Sequence, residues 1–288
     1  MAATASGDRG QQRWPALTYQ GPDHPELVLL EYAHSNEPVG LGMRPWARER
    51  TATMSAATRW WGQQVGFLGP VDPPPDEGVS GSRPAEAAQY LSTGYIGPLV
   101  DQVEFAYGDP SRAAGRRADQ VVQYLQRLGP RFVVSLHADV GTRGAYAYTT
   151  EQHQRISEIL TSAPCLNQDP GVEISWARLA ADRVWDFFDA EVIGPGLAGP
   201  SGQYVRKIGL PVCWINLELP LFDWGADEQL RARTRAVMAR QIAEGGSSAR
   251  PIRLSDPFRR QLASIPTITE EDEQLFLAHL AEHLLTPI

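Results

Sequence analysis

The chain holds only two cysteines in 288 residues, Cys165 and Cys213. Two thiols cannot build a disulfide framework, and their wide separation is not that of a metal-ligand pair, so both are expected to be reduced and structural. Long apolar runs are missing too: none approaches the ~20 residues a membrane span needs. The first fifteen residues are small and polar, with no apolar leader core, and predict no secretory signal. Positive charge is in short supply, with 26 Lys and Arg against 34 Asp and Glu, a net charge of −8 and a pI near 5.3. That balance argues against a phosphate-binding surface. The basic groups at Arg48/Arg50 and Arg116/Arg117 are too brief to reverse it. What is present, 42% hydrophobic and 21% charged residues, is ordinary for a globular fold. The expectation is a soluble, cytoplasmic α/β protein without nucleic-acid or membrane partners.

Residues 1–14 read as a flexible lead-in and 15–288 as one domain, since no composition shift divides the rest. The run Leu27–Tyr32 has the length and content of a buried strand, and it empties into the polar group His34-Ser35-Asn36-Glu37. Residues 69–87 carry five prolines, three of them consecutive, and predict a long surface loop. Val121, Tyr124, Leu125 and Leu128 follow helical spacing, which predicts a helix over 113–128 stopped by Gly129-Pro130. A β-branched run, Arg131–Leu136, follows at once and ends in His137, and a third run, Pro211–Leu217, ends in Glu218. Helix passing directly into a buried strand favours a largely parallel central sheet. Further helices are expected near 150–162, 179–190, 226–243 and 268–285, the last opened by a capping box from Thr267 to Glu270.

Each of these three runs delivers a chemically competent residue near its C-terminal end, where open α/β sheets bind ligands. His34 and Glu37 stand three residues apart, close enough to share an ion, and His137 would complete a set of two imidazoles and one carboxylate. That set suits a catalytic Zn²⁺, which takes three protein ligands and keeps a position for water. Glu218 is then left for acid–base work. A carboxylate within so apolar a segment, WINLELPLF, is costly unless it is paired or used.

These segments carry a family resemblance. LVLLEYAHSNEPVG resembles the first zinc motif of the zinc carboxypeptidase superfamily, a strand followed by His-x-x-Glu, which in the desuccinylase and aspartoacylase branch often reads His-Gly-Asn-Glu. RFVVSLHADVG is similar to the second motif, a strand ending in the third zinc histidine, and GLPVCWINLELP to the segment with the catalytic glutamate. The three occur in the family's order. The resemblance implies a three-layer α/β/α fold with a mixed, largely parallel sheet and one zinc ion held by His34, Glu37 and His137. It also implies hydrolysis of a peptide or amide bond in a small peptide, aminoacyl or N-acyl amino acid substrate. On that resemblance zinc would polarise the carbonyl and lower the pKa of its water, and Glu218 would serve as general base. Burial against Trp214 and Leu219 is expected to raise the Glu218 pKa.

Asp139 is a candidate either to support His137 or to contact a substrate amine. The family's Asn-Arg pair for the substrate carboxylate is missing, since no asparagine occurs between Asn36 and Asn167. Arg83 and Arg143 are the nearest candidates to replace it, guanidinium being well matched to a carboxylate. Tyr204, and Tyr146 or Tyr148, are candidates to line the pocket. Two other readings stay open, an N-acyl amino-acid deacylase and a catalytically inactive zinc-binding recognition module.

One further motif, His279-Leu280-Ala281-Glu282-His283, matches an inverted zinc-peptidase signature. Phe276, Leu277, Leu280 and Leu284 form the apolar stripe of this helix and leave both histidines on its flank, so it is read as structural. His24 and His153 are read as surface residues.

Overall fold

The computed structural model describes residues 14–31, 63–72, 95–96, 103–151, 153–166, 200–225, 227–244, 252–253 and 255–286. The strands are β1 (Thr18–Gln20), β2 (Leu27–Leu30), β3 (Val65–Gly69), β4 (Tyr95–Ile96), β5 (Phe132–Asp139), β6 (Tyr146–Thr149), β7 (Cys213–Pro220) and β8 (Ile252–Arg253). The helices are α1 (Ala113–Leu128), α2 (His153–Thr161), α3 (Pro200–Lys207), α4 (Glu228–Glu244), α5 (Asp256–Leu262) and α6 (Glu270–Leu285). The expected helix near 179–190 and most of the 69–87 loop lie outside the described residues.

Six strands form the main sheet in the order β1-β3-β2-β5-β7-β6. The four central strands run parallel, and β1 and β6 pair antiparallel at the two edges. Every residue of β2 and β5 is buried, as is all of β7 except Glu218. Continuous apolar runs are what a parallel sheet covered on both faces requires. On one face Val28, Leu30, Val133 and Trp214 pack against Val121, Leu125 and Leu128 of α1 and Val205 of α3. On the other, Leu27, Phe132, Leu136, Leu217 and Leu219 meet Ile156 of α2, Phe258 of α5 and Phe276 and Leu280 of α6. Two separate cores, one per face, make the three-layer α/β/α arrangement expected from the sequence.

Helix α1 has the expected bounds, with Val121, Leu125 and Leu128 on its buried side. It stops because Gly129 turns left-handed (φ 63°, ψ 42°) and its N–H caps the Leu125 carbonyl at 2.9 Å. Helix α6 begins later than expected. Its cap is Thr269 rather than Thr267: the Thr269 hydroxyl accepts from the Asp272 N–H at 3.0 Å and donates to the Asp272 carboxylate at 2.7 Å. Thr267 is instead bridged to Phe222, and the Ile268 N–H donates to the Leu221 carbonyl at 3.3 Å. Pairing to the chain beyond β7 holds this segment extended and delays the helix.

The α6 histidines pack where their spacing suggested, beside a buried stripe of Phe276, Leu277, Leu280 and Leu284. Their rings lie 4.0 Å apart, and His279 Nε2 is 3.1 Å from the Ile159 carbonyl and 3.2 Å from the Ser162 hydroxyl, tying α6 to α2. Arg155 adds to the tie by donating to the carbonyls of Leu284 and Thr286. Burial, and next the charge of His283, hold the His279 pKa below its ordinary 6.5, against smaller opposing contributions from the Ile159 carbonyl and Glu282. The unfolded chain therefore takes up this proton first as pH falls below 6.5. The stabilisation is complete above that pH and fades as pH drops towards the folded pKa. The melting temperature should fall between about pH 7.5 and about pH 5.5, and His279→Gln should shrink that fall. An equal fall in the variant would place the acid sensitivity elsewhere.

Candidate functional site

The β5–β7 and β7–β6 ladders set three side chains in one row. His137 is in register with Glu218, and Glu218 with Tyr146. Residues in register on neighbouring strands project to the same face. Counting back two residues at a time from His137 and Glu218 reaches Val133 and Trp214, so the row lies on the α1/α3 face. Both strands run two residues past it, to Asp139 and Pro220. The apolar runs stop at His137 and Glu218 but the strands continue: both residues sit inside the ladder, near its C-terminal edge as expected. Backbone pairing continues beyond it, the Leu221 N–H donating to the Asp139 carbonyl at 3.0 Å.

Below this row stands a second polar pair, Ser135 and Asn216, again in register and 5% and 3% exposed. The Ser135 hydroxyl is 3.0 Å from His137 Nε2, and His137 itself is 1% exposed. The Asn216 side-chain carbonyl accepts from the Trp214 indole N–H at 2.7 Å. Neither Ser135 nor Asn216 was singled out from the sequence. The signal was available: in FVVSLH and CWINLE each is the polar residue two positions before a site candidate, hence on the same strand face.

Glu218 is partly exposed, the one residue of β7 that is not buried. Its expected burial against Trp214 and Leu219 does not occur. Leu217 and Leu219 belong to the opposite core, as the two-residue period of a strand demands, and the neighbours of Glu218 in the row are His137 and Tyr146. The apolar letters around Glu218 therefore describe the other side of the sheet.

Asp139 accepts from the Gly141 N–H at 2.5 Å and from the Tyr146 hydroxyl at 2.6 Å. Residues 140–145 cross the end of β7 to join β5 to β6, so this Tyr146–Asp139 bond spans the outer end of the row. Arg143, on that crossing, pairs with Glu228 at 2.8 Å and donates to the Gly225 carbonyl at 3.0 Å. Glu228 also receives the buried Arg231 at 2.6 Å, and the Arg231 hydrogen bond, ahead of the nearby positive charges, holds its carboxyl below the ordinary range. Tyr204 on α3 is half-buried. Its ring lies 5.8 Å from that of Tyr107, which in turn meets Trp214 edge-on at 6.2 Å. Tyr204 thus joins the aromatic packing beneath the polar rows.

His34, Glu37 and Arg83 lie outside the described residues. Among the described residues no three His, Cys, Asp or Glu side chains gather closely enough to hold a metal ion. His137 fits one as a single ligand: it is a buried imidazole at the sheet edge, with one ring nitrogen beside a hydroxyl.

No family model and no curated protein matches the chain. Several solved structures do. A metallo-carboxypeptidase from Pseudomonas aeruginosa, in complex with (2-guanidinoethylmercapto)succinic acid, is 12% identical over 95% of this chain and 60% of its own, with a TM-score of 0.37. A metallo-carboxypeptidase from Burkholderia cenocepacia is 13% identical over 95% of this chain and 66% of its own, with a TM-score of 0.36. A provisionally assigned metallopeptidase from Shewanella denitrificans is 14% identical over 81% of this chain and 79% of its own, with a TM-score of 0.37. At these scores the roles of residues in this chain rest on its own geometry.

Proposed function

We propose that the chain is a zinc-dependent hydrolase cleaving a peptide or amide bond of a small peptide, aminoacyl or N-acyl amino acid substrate. The observation that carries this reading is the row His137–Glu218–Tyr146 on one face, near the C-terminal ends of β5 and β7 and at the start of the antiparallel β6. His137 would hold the ion together with His34 and Glu37. Leu30, the last residue of β2, is in register with Ser135 on the neighbouring strand, so the chain leaves β2 beside His137. The four residues from there to His34 reach at most ~14 Å, ample for a strand spacing of about 4.8 Å.

Zinc in such a site supplies Lewis-acid polarisation of the carbonyl and an acidified water. The chain's own residues do the rest. Glu218 is partly exposed and so can meet substrate; its carboxylate takes a proton from the attacking water and returns it to the departing amine. Tyr146 and Asp139 close the outer end of the row and fix the wall beside Glu218. The missing Asn-Arg pair and the His-Ser-Asn-Glu wording of the first motif favour the deacylase form of this reading over the carboxypeptidase form.

Metal analysis of purified protein tests the site. Wild type should hold about one zinc, and His34→Ala and His137→Ala should each lose most of it. Full retention in both variants would remove the proposed ligands. A small-substrate panel then separates the two forms, since a carboxypeptidase releases a C-terminal amino acid and a deacylase an acyl acid. A chain that binds zinc and cleaves nothing on the panel would be a recognition module.

A further inference from the structure

We propose that a pocket between the chain before β1 and the first turns of α1 binds a small monocarboxylate with an apolar body, its carboxylate facing Arg116 and Arg117. The pocket has a volume of about 570 Å³, and its walls include Trp14, Leu17, Arg116, Arg117, Gln120 and Tyr124. That size is ordinary for a small-ligand site, as is a mainly apolar wall carrying a few polar groups. It lies on the β1 side of the sheet, whereas the His137–Glu218–Tyr146 row lies on β5, β7 and β6. The site is therefore independent of the zinc reading.

Arg117 is what calls for an anion. It is only 4% exposed, and its hydrogen bonds among the described residues go to neutral oxygens. Nη1 donates to the Gln120 side-chain carbonyl at 3.2 Å and Nη2 to the Pro15 carbonyl, while the enclosed Nε has no acceptor among the described residues. The Trp14 ring, 5.4 Å from the guanidinium carbon, is a further neutral neighbour. Burial lowers the Arg117 pKa, and the charge of Asp72 opposes this through space. A buried cation is costly without an opposite charge in contact, and a bound carboxylate would supply one. Arg116, exposed beside it, donates to the carbonyls of Pro110 and Ser111. Helix α1 adds the positive end of its dipole. It starts at Ala113, which also lines the pocket, with no acidic residue in its first turn and no side-chain cap from Arg112. No acidic side chain among the described residues lines the pocket. The planar guanidinium matches a carboxylate, and Trp14, Leu17 and Tyr124 offer an apolar body its wall.

Titration calorimetry of the full chain tests this with three probes: phenylacetate, its neutral amide phenylacetamide, and acetate. Wild type should bind phenylacetate saturably. The amide lacks the charge and acetate lacks the apolar body, so each should bind about tenfold more weakly or worse. Arg116→Ala and Arg117→Lys should each weaken phenylacetate about tenfold, the first by losing a charge-assisted bond and the second by losing the planar fork. His137→Ala should bind it as wild type does. Thermal melts check folding, and since Arg116 is exposed, Arg116→Ala decides the matter even where the Lys variant unfolds. No saturable binding of phenylacetate by wild type overturns the proposal. So does an amide or acetate that binds as tightly as phenylacetate. Affinity that survives both arginine changes overturns it too, and its loss in His137→Ala would then put the probe at the His137 row.

Discussion

Glu218→Gln is expected to cut amide hydrolysis by about 10²- to 10⁴-fold while zinc content stays at the wild-type level. The amide keeps the shape of the carboxylate and some of its hydrogen bonding, but it cannot accept a proton. Since Glu218 is partly exposed and its apolar sequence neighbours face the opposite core, the swap disturbs little packing. The melting temperature should therefore hardly move, which separates a chemical defect from a folding one. The measurement is turnover of the best panel substrate, with zinc content and melting recorded on the same samples. Zinc lost along with activity would recast Glu218 as a ligand. Activity surviving with zinc in place would take the base role from it.

The strand ends that hold His137 and Glu218 were legible in the sequence because fully buried parallel strands must be written as unbroken apolar runs. The same property hid their faces. In FVVSLH and CWINLELP the residues facing the two cores are nearly equally apolar, so the text does not say which neighbours share a face with a polar residue. Glu218 consequently read as buried among Trp214 and Leu219, when Leu219 belongs to the other core. Register is likewise a property of pairs of strands. That Tyr146 returns antiparallel and falls level with Glu218 depends on the 140–145 crossing, which no local pattern encodes. Helix α1 was legible to its ends because its period and its Gly129 stop are both local. The start of α6 was not, since Thr267 is held by a bridge to Phe222, distant in sequence, and the capping role passes to Thr269.

Trp214 links the apolar floor of the α1/α3 face to the polar rows above it, and its removal should be the most damaging change to the fold among those considered. The indole is 1% exposed, meets Tyr107 edge-on and donates to Asn216. Trp214→Ala is expected to cost about 3–5 kcal/mol through lost burial and the cavity left behind. Against a typical total of about 5–15 kcal/mol, that removes at least about a fifth of the stability and at the low end all of it. Trp214→Phe keeps an aromatic ring in the core and removes the N–H, so Asn216 loses one donor at a buried carbonyl, at about 1–3 kcal/mol. Urea unfolding of the three proteins should rank them wild type, Phe, Ala. Should Phe prove as damaging as Ala, the hydrogen bond to Asn216 rather than the packing of the ring would be what holds β7 in place, and the polar rows would be a structural element in their own right.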